Sequence, residues 1–379
     1  MSRLLDRFGV PIGRRRFLQG AGALAGTAMI AASPFRSALA RSNVLNILTW
    51  PGHSDPFAVA QFEEMYDCTV RGQEYVGGEQ MLGLVNQSPP GSFDVIMADA
   101  EYVSMLQAGG FVDAMDPADY PIDDFFPEFQ KFEGHWVDDK LYSVMIRFGY
   151  IGMAYRTDVL SEDDVRSYSA LWSDKVRGQV GFFDWYLPTM GCLSLYEGNS
   201  QPFDIGDGAL MEVKDRMMTL APQTAGFYGM ASMFSMLTNG TAAVIPGIGD
   251  WVVDLLKRDG VPVAAVVPEE GGLQWTESLS IASGSSNKDL AKAFIQYMSS
   301  PEGQVRTARL PAYTASIPNR KGWELMNEQY PEDATMLRHT FTERNVMDEY
   351  ADGLINLRRL PVQQDIGVWN DIWSEFKAV

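Results

Sequence analysis

Val44-Leu45-Asn46-Ile47-Leu48-Thr49-Trp50 is an apolar run of strand length, closed by Pro51-Gly52. A helix signal follows at once: Asp55 suits the cap position, and Pro56 suits the first turn, where a missing N–H costs nothing. Phe57, Phe62 and Met65 are expected to supply much of that helix's buried face. Thr69–Tyr75 then reads as a strand, Glu79–Val85 as a short helix, and Asp94–Ala98 as a third strand. Tyr102–Ala108 is again helical and stops at Gly109-Gly110. Strands alternating with helices at this spacing predict an α/β domain with a largely parallel sheet.

A second α/β unit is expected from about Gly152. Val180–Phe183, Ala242–Pro246, Val263–Val267 and Leu279–Ala282 read as its strands, and Asp207–Leu220 and Asp250–Asp259 as helices. Asn287–Ser299 is a strongly amphipathic helix with Leu290, Phe294, Tyr297 and Met298 on one side.

Ahead of the first strand, Arg14-Arg15-Arg16-Phe17-Leu18 precedes a Gly- and Ala-rich apolar stretch, Gly20–Ala32, and then Ala38-Leu39-Ala40. A basic start, an apolar middle and a small-x-small end are the parts of an export signal, so residues 1–40 are expected to be removed. The paired Arg before Phe-Leu resembles the twin-arginine kind, which exports folded proteins. The middle is too short to remain as a membrane span, and no Cys sits at the cleavage site to carry a lipid. The rest is expected to be a soluble protein of the periplasm.

The 379 residues carry a net charge of −19; without residues 1–40, which hold six Arg and one Asp, it is −24. Such a charge repels nucleic acid and anionic membranes and attracts cations. Cys68 and Cys192 stand far apart in sequence, and both a disulfide and two free thiols fit them. His53, His135 and His339 are scattered, so no metal site is expected.

The chain has no GxSxG, P-loop or HExxH, and no GxGxxG opening a helix after a strand; Gly77-Gly78 and Gly271-Gly272 read as turns. No catalytic group and no cofactor is therefore expected. What recurs is tryptophan and carboxylate at strand ends: Trp50, Asp99 with Glu101, Asp184 with Trp185, and Trp275 with Glu277. Ligands of α/β sheets sit at the carboxyl ends of strands. Aromatic faces with carboxylates are what an organic ammonium needs, each ring contributing about 0.5–2 kcal/mol.

These residues carry a resemblance. The chain resembles the periplasmic spermidine/putrescine-binding proteins of ABC importers, within the extracellular solute-binding proteins. The likeness runs through Asn46–Trp50, Phe93–Ile96 and Leu171–Gly178. Its most specific part is Val267–Leu279, which is similar to the family's Pro-x-Glu-Gly-Gly run leading to a Trp-x-Asp-Ser ligand contact.

The resemblance implies a two-lobed periplasmic binding protein (type II) with a ligand cleft between lobes and a crossover hinge. Lobe 1 would take residues 44–150 plus 277–320, and lobe 2 residues 151–276 plus 321–379. It further implies a monomeric receptor that hands a polyamine-like amine to an inner-membrane ABC permease. Trp50 and Trp275 match cleft tryptophans, Glu277 replaces an amine-gripping Asp, and Tyr313 matches a cleft tyrosine. Gln363 falls near a ligand-contacting Gln, His53 stands where a Tyr is frequent, and Asp99 and Glu101 occupy a cleft loop. Asp184 sits beside the position of two second-lobe acids, whose own slots hold Trp185 and Pro188. Another cleft Trp is expected to be missing from Pro246–Asp250.

Arg147 is the one cation in this set. It is expected to pair with Glu101 or Asp99, because an unpaired buried charge is costly; the alternative is a clamp on a zwitterionic or anionic ligand. An exported cofactor enzyme is the alternative of another class, and the missing cofactor motifs speak against it.

Overall fold

The computed structural model describes residues 43–379, so the expected export signal lies outside the described residues. No described helix is long and apolar enough to cross a membrane.

The strands are β1 (Val44–Thr49), β2 (Thr69–Glu74), β3 (Val95–Ala98), β4 (Trp136–Val137), β5 (Lys140–Leu141) and β6 (Val144–Arg156) in the first part of the chain. β7 (Val180–Phe183), β8 (Thr224–Tyr228), β9 (Val244–Ile248), β10 (Val263–Val266), β11 (Gly272–Ile281) and β12 (Ile355–Leu357) follow. β4 and β5 pair with each other. The main sheet runs β2-β1-β3-β11-β6-β9-β7-β8, with β10 on β6 and β12 on β11. Its two ends, β2-β1-β3 and β9-β7-β8, are parallel, as the alternating pattern predicts. Between them β11 and β6 are antiparallel to each other and to their outer neighbours.

β6 joins the two ends. Its thirteen residues are buried up to the last, which is why no alternation marks it. Residues Val144–Ile151 pair with β11; from Met153 onward the same edge of β6 pairs with β10, and the opposite edge with β9. The β6–β11 register slips between Glu277 and Ser278, a bulge of the kind that re-aims a side chain.

The first helix, Pro56–Tyr66, starts at the expected proline with Asp55 in the cap position, though the Asp55 side chain makes no capping bond. Its buried face differs from expectation. Ala58, Val59 and Phe62 face inward, while Phe57 and Met65 are 38% and 61% exposed. Phe57 and Phe62 are five residues apart and point roughly 140° away from each other, so they cannot share a face. Cys68 and Cys192 are both free thiols.

The return segment, residues 320–379, is divided. Helix Arg320–Gln329 packs on helix Pro301–Ala308, with Pro331–Met336 against it, on the side of β1. Helix Ile366–Lys377 packs instead on Tyr186–Tyr196 and Asp207–Met218.

Candidate functional site

A cleft open to solvent lies between the two parallel ends of the sheet. On one wall stand Trp50 at the end of β1, Asp99 at the end of β3, Trp275 and Glu277 on β11, and Tyr313. On the other stand Phe183 at the end of β7, Trp185, Gly247 of β9, Met230 and Trp251. This second wall coincides with the starts of helices Tyr186–Tyr196, Met230–Asn239 and Asp250–Arg258. Arg358, from the return segment, completes the lining.

The rings form a partial cage. Trp50 lies 5.2 Å from Tyr75 and 6.1 Å from Trp185, while Tyr313 lies 5.7 Å from Trp251 and 6.5 Å from Trp275. Trp185 is fixed from behind by Glu79, which accepts from its Nε1 at 3.1 Å and from the hydroxyls of Tyr186 and Tyr102 at 2.8 and 3.0 Å. Trp275 crosses β6 at Gly149, where a Cβ would stand 2.6 Å from the indole nitrogen.

Two ionic knots lie at the base of the cleft. In the first, the bulge brings Glu277 opposite Arg147 as a cross-strand pair. Its Oε2 accepts from Arg147 Nε at 2.5 Å and meets His53 Nε2 at 2.7 Å, and its Oε1 accepts from the Tyr313 hydroxyl at 2.5 Å. Burial alone would push the Glu277 carboxyl up, but Arg147 and His53 outweigh it and hold the pKa at about 2. Burial, reinforced by Arg147, lowers His53 to about 4, so its ring is neutral near pH 7 and donates to Glu277. The Arg147 guanidinium also lies 4.1 Å from the Tyr313 ring and donates to the carbonyls of Thr307 and Tyr313.

In the second knot, Arg358 donates from Nε to Glu101 at 2.6 Å and pairs with Asp99 at 2.9 Å, its guanidinium 4.7 Å from the Trp185 ring. Burial raises Asp99 well above the usual carboxylate range; Arg358 works against this, and Glu101 and Glu277 add to it. Asp99 Oδ2 is buried and has no hydrogen-bond partner among the described residues. The same is true of the indole nitrogens of Trp50 and Trp275.

Trp50, Asp99, Trp275, Glu277 and Tyr313 are thus brought together as expected from the sequence. His53 and Glu101 are adjacent but lie behind the lining, holding Glu277 and Arg358. Arg147 is paired, but with Glu277 rather than with Glu101 or Asp99, because β6 sets it opposite the bulge; fully buried, it does not line the cleft. Asp184 and Gln363 lie outside the cleft. Asp184 turns outward to Lys377 and the Trp373 indole, and Gln363 donates to Asp204 at the surface. Trp251, one residue past Pro246–Asp250, supplies the aromatic ring expected to be missing there. Arg358 had no signal in the sequence, since nothing local distinguishes it from a surface arginine. Among the described residues, no group of three or more His, Cys, Asp or Glu is placed to hold a metal ion.

Residues 58–337 match the family model of the bacterial extracellular solute-binding proteins. The spermidine/putrescine-binding periplasmic protein of Escherichia coli K12 is 23% identical over 354 residues, covering 88% of this chain and 90% of that protein. Among solved structures, a putative spermidine/putrescine ABC transporter protein of Listeria monocytogenes superposes with a TM-score of 0.76 at 21% identity, over 89% of this chain and 99% of the other. The binding protein MotA of A. tumefaciens B6, solved with glucopine, gives 0.67 at 16% identity, over 88% and 99%. At these identities the structures establish the shared fold.

Proposed function

We propose that this chain, which belongs to the bacterial extracellular solute-binding proteins, captures a small organic amine of the polyamine class outside the cytoplasm. It delivers that amine to an inner-membrane ABC permease. The chain acts by binding rather than by catalysis, as a monomer, after export directed by residues 1–40 through the twin-arginine route. Its two lobes are built on β2-β1-β3 and on β9-β7-β8, and they close on the ligand about the strands that join them.

The observation that carries this reading is the Asp99 carboxylate, whose Oδ2 is buried and unpartnered among the described residues of a cleft lined by Trp50, Trp185, Trp251 and Trp275. A buried carboxylate oxygen without a donor is costly, and an ammonium supplies the missing donor and charge together. The surrounding ring faces add cation–π attraction and cover methylene groups. The polyamine relatives are consistent with that chemistry. A zwitterion held through Arg147 is not favoured, because that guanidinium is fully buried outside the cleft lining and its charge is matched by Glu277.

The test is thermal unfolding of the purified protein with putrescine, spermidine and their monoacetylated forms. A ligand at a hundred times its Kd stabilises the fold by about 2.7 kcal/mol, enough for a clear rise in Tm. Native mass spectrometry of the same samples gives the stoichiometry. No stabilisation by any amine would refute the amine assignment.

A further inference from the structure

We propose that the cleft reads one cationic centre only, and that the far end of the bound amine is uncharged. Within the amine reading above, on which this rests, the preferred ligand is a primary ammonium on an aliphatic chain whose other terminus is blocked, as in a monoacylated diamine.

The first support is the inventory of acceptors. Of the described residues lining the cleft, two are carboxylates, Asp99 and Glu277. Glu277 already takes three donors, His53 and Arg147 on one oxygen and Tyr313 on the other, and Arg147 balances its charge. Of the four carboxylate oxygens in the lining, Asp99 Oδ2 is the one with no hydrogen-bond partner among the described residues. Glu79, the next acid, is outside the lining and takes three donors from Tyr102, Trp185 and Tyr186.

The charge balance agrees. Glu277 and Arg147 cancel, and His53 is neutral; Asp99 and Glu101 share Arg358, and the second negative charge of that pair, which burial disfavours, is the one an ammonium would stabilise. A single ammonium neutralises the base of the cleft, and a second would be buried without a counter-charge.

The opposite wall offers a second cation ring faces but no carboxylate. It is lined by Phe183, Trp185, Pro188, Met230 and Trp251, whose side chains carry no acceptor stronger than the Met230 thioether. Three helices begin there, at Tyr186, Met230 and Asp250, and helix starts carry partial positive charge. An amide or alkyl terminus meets no such penalty.

Calorimetry on the wild-type protein with putrescine and N-acetylputrescine decides the matter. The expected result is that blocking one amine changes Kd by less than about threefold, or tightens it. Putrescine binding more than about tenfold tighter than its acetylated form would overturn the single-centre proposal and leave the amine reading standing. Binding of neither compound would overturn both. Asp99→Asn should weaken both ligands equally, by at least about thirtyfold; an unequal or absent effect would remove Asp99 as the single reader. The wild-type comparison stands alone if that variant does not fold.

Discussion

Replacing Glu277 by Gln keeps the size of the side chain and removes the charge on which Arg147, His53 and Tyr313 converge. The carboxyl falls from 4.5 to about 2 despite complete burial. At 1.36 kcal/mol per pH unit, that is roughly 3 kcal/mol of folding free energy. Stranding a buried partner leads independently to about 3–5 kcal/mol. Because the folded pKa lies below the unfolded one, this stabilisation is complete above pH 4.5 and is lost as pH falls towards 2. Urea unfolding followed by tryptophan fluorescence should therefore separate wild type from Glu277→Gln by roughly 3 kcal/mol at pH 7. At pH 3 the gap should shrink to about half of that or less. A gap below about 1 kcal/mol at pH 7, or one unchanged at pH 3, would refute the assignment of Glu277 as an ionised structural hub.

Arg358→Met should cost about 3–5 kcal/mol in the same assay, because it leaves Asp99 and Glu101 buried together without a cation. Lys377→Ala, which breaks only the surface pair with Asp184, should cost less than about 1 kcal/mol. Burial lowers His53 to about 4 and both His135 and His339 to about 3, so NMR should find none of the three titrating between pH 5 and 8 in the folded protein. Since the unfolded chain takes up those protons first, stability should decline as pH drops below 6.5. Gly149→Ala puts a methyl against the Trp275 ring and should cost about 1–3 kcal/mol, with a shift in tryptophan emission.

Local patterns in the sequence made much of the fold readable. Val180–Phe183 is a strand with the expected bounds, and helices Asp207–Met218, Asp250–Arg258 and Lys288–Ser299 lie within two residues of theirs. Each has an apolar period, a turn signal or a capping residue of its own. Helix Tyr186–Tyr196 escaped because almost every side is buried, which erases the 3.6-residue contrast. β6 escaped for the same reason, being read only as the start of a second unit near Gly152. In the site, Trp50 and Asp99 were readable from strand-end chemistry, and Trp275, Glu277 and Tyr313 from family likeness. Trp275 and Glu277 lie in the middle of β11 rather than at a strand end, because the strand begins at Gly272, directly after the Gly271 turn. Which acids remain available was not, because it depends on cross-strand register and on Arg358, which is far away in sequence. Asp184 shows the converse error: its strand-end position was right, but its side chain turns to Lys377.

The pairing of β6 with β10 and β11 along one edge has a mechanical consequence. Two antiparallel strands side by side form a ribbon between the halves of the molecule, held by backbone hydrogen bonds along its length. Sliding one strand past the other would break every rung of that ladder at once, whereas twisting or bending the ribbon breaks none. A ribbon of this kind would let the two halves rotate about it as a torsion bar and would resist their sliding. The bar is thinnest at Gly149 and Gly152, where Trp275 and the Val266 carbonyl press against bare backbone. Trp275 therefore rests on the spring itself, so that what touches its indole face bears directly on the angle between the halves.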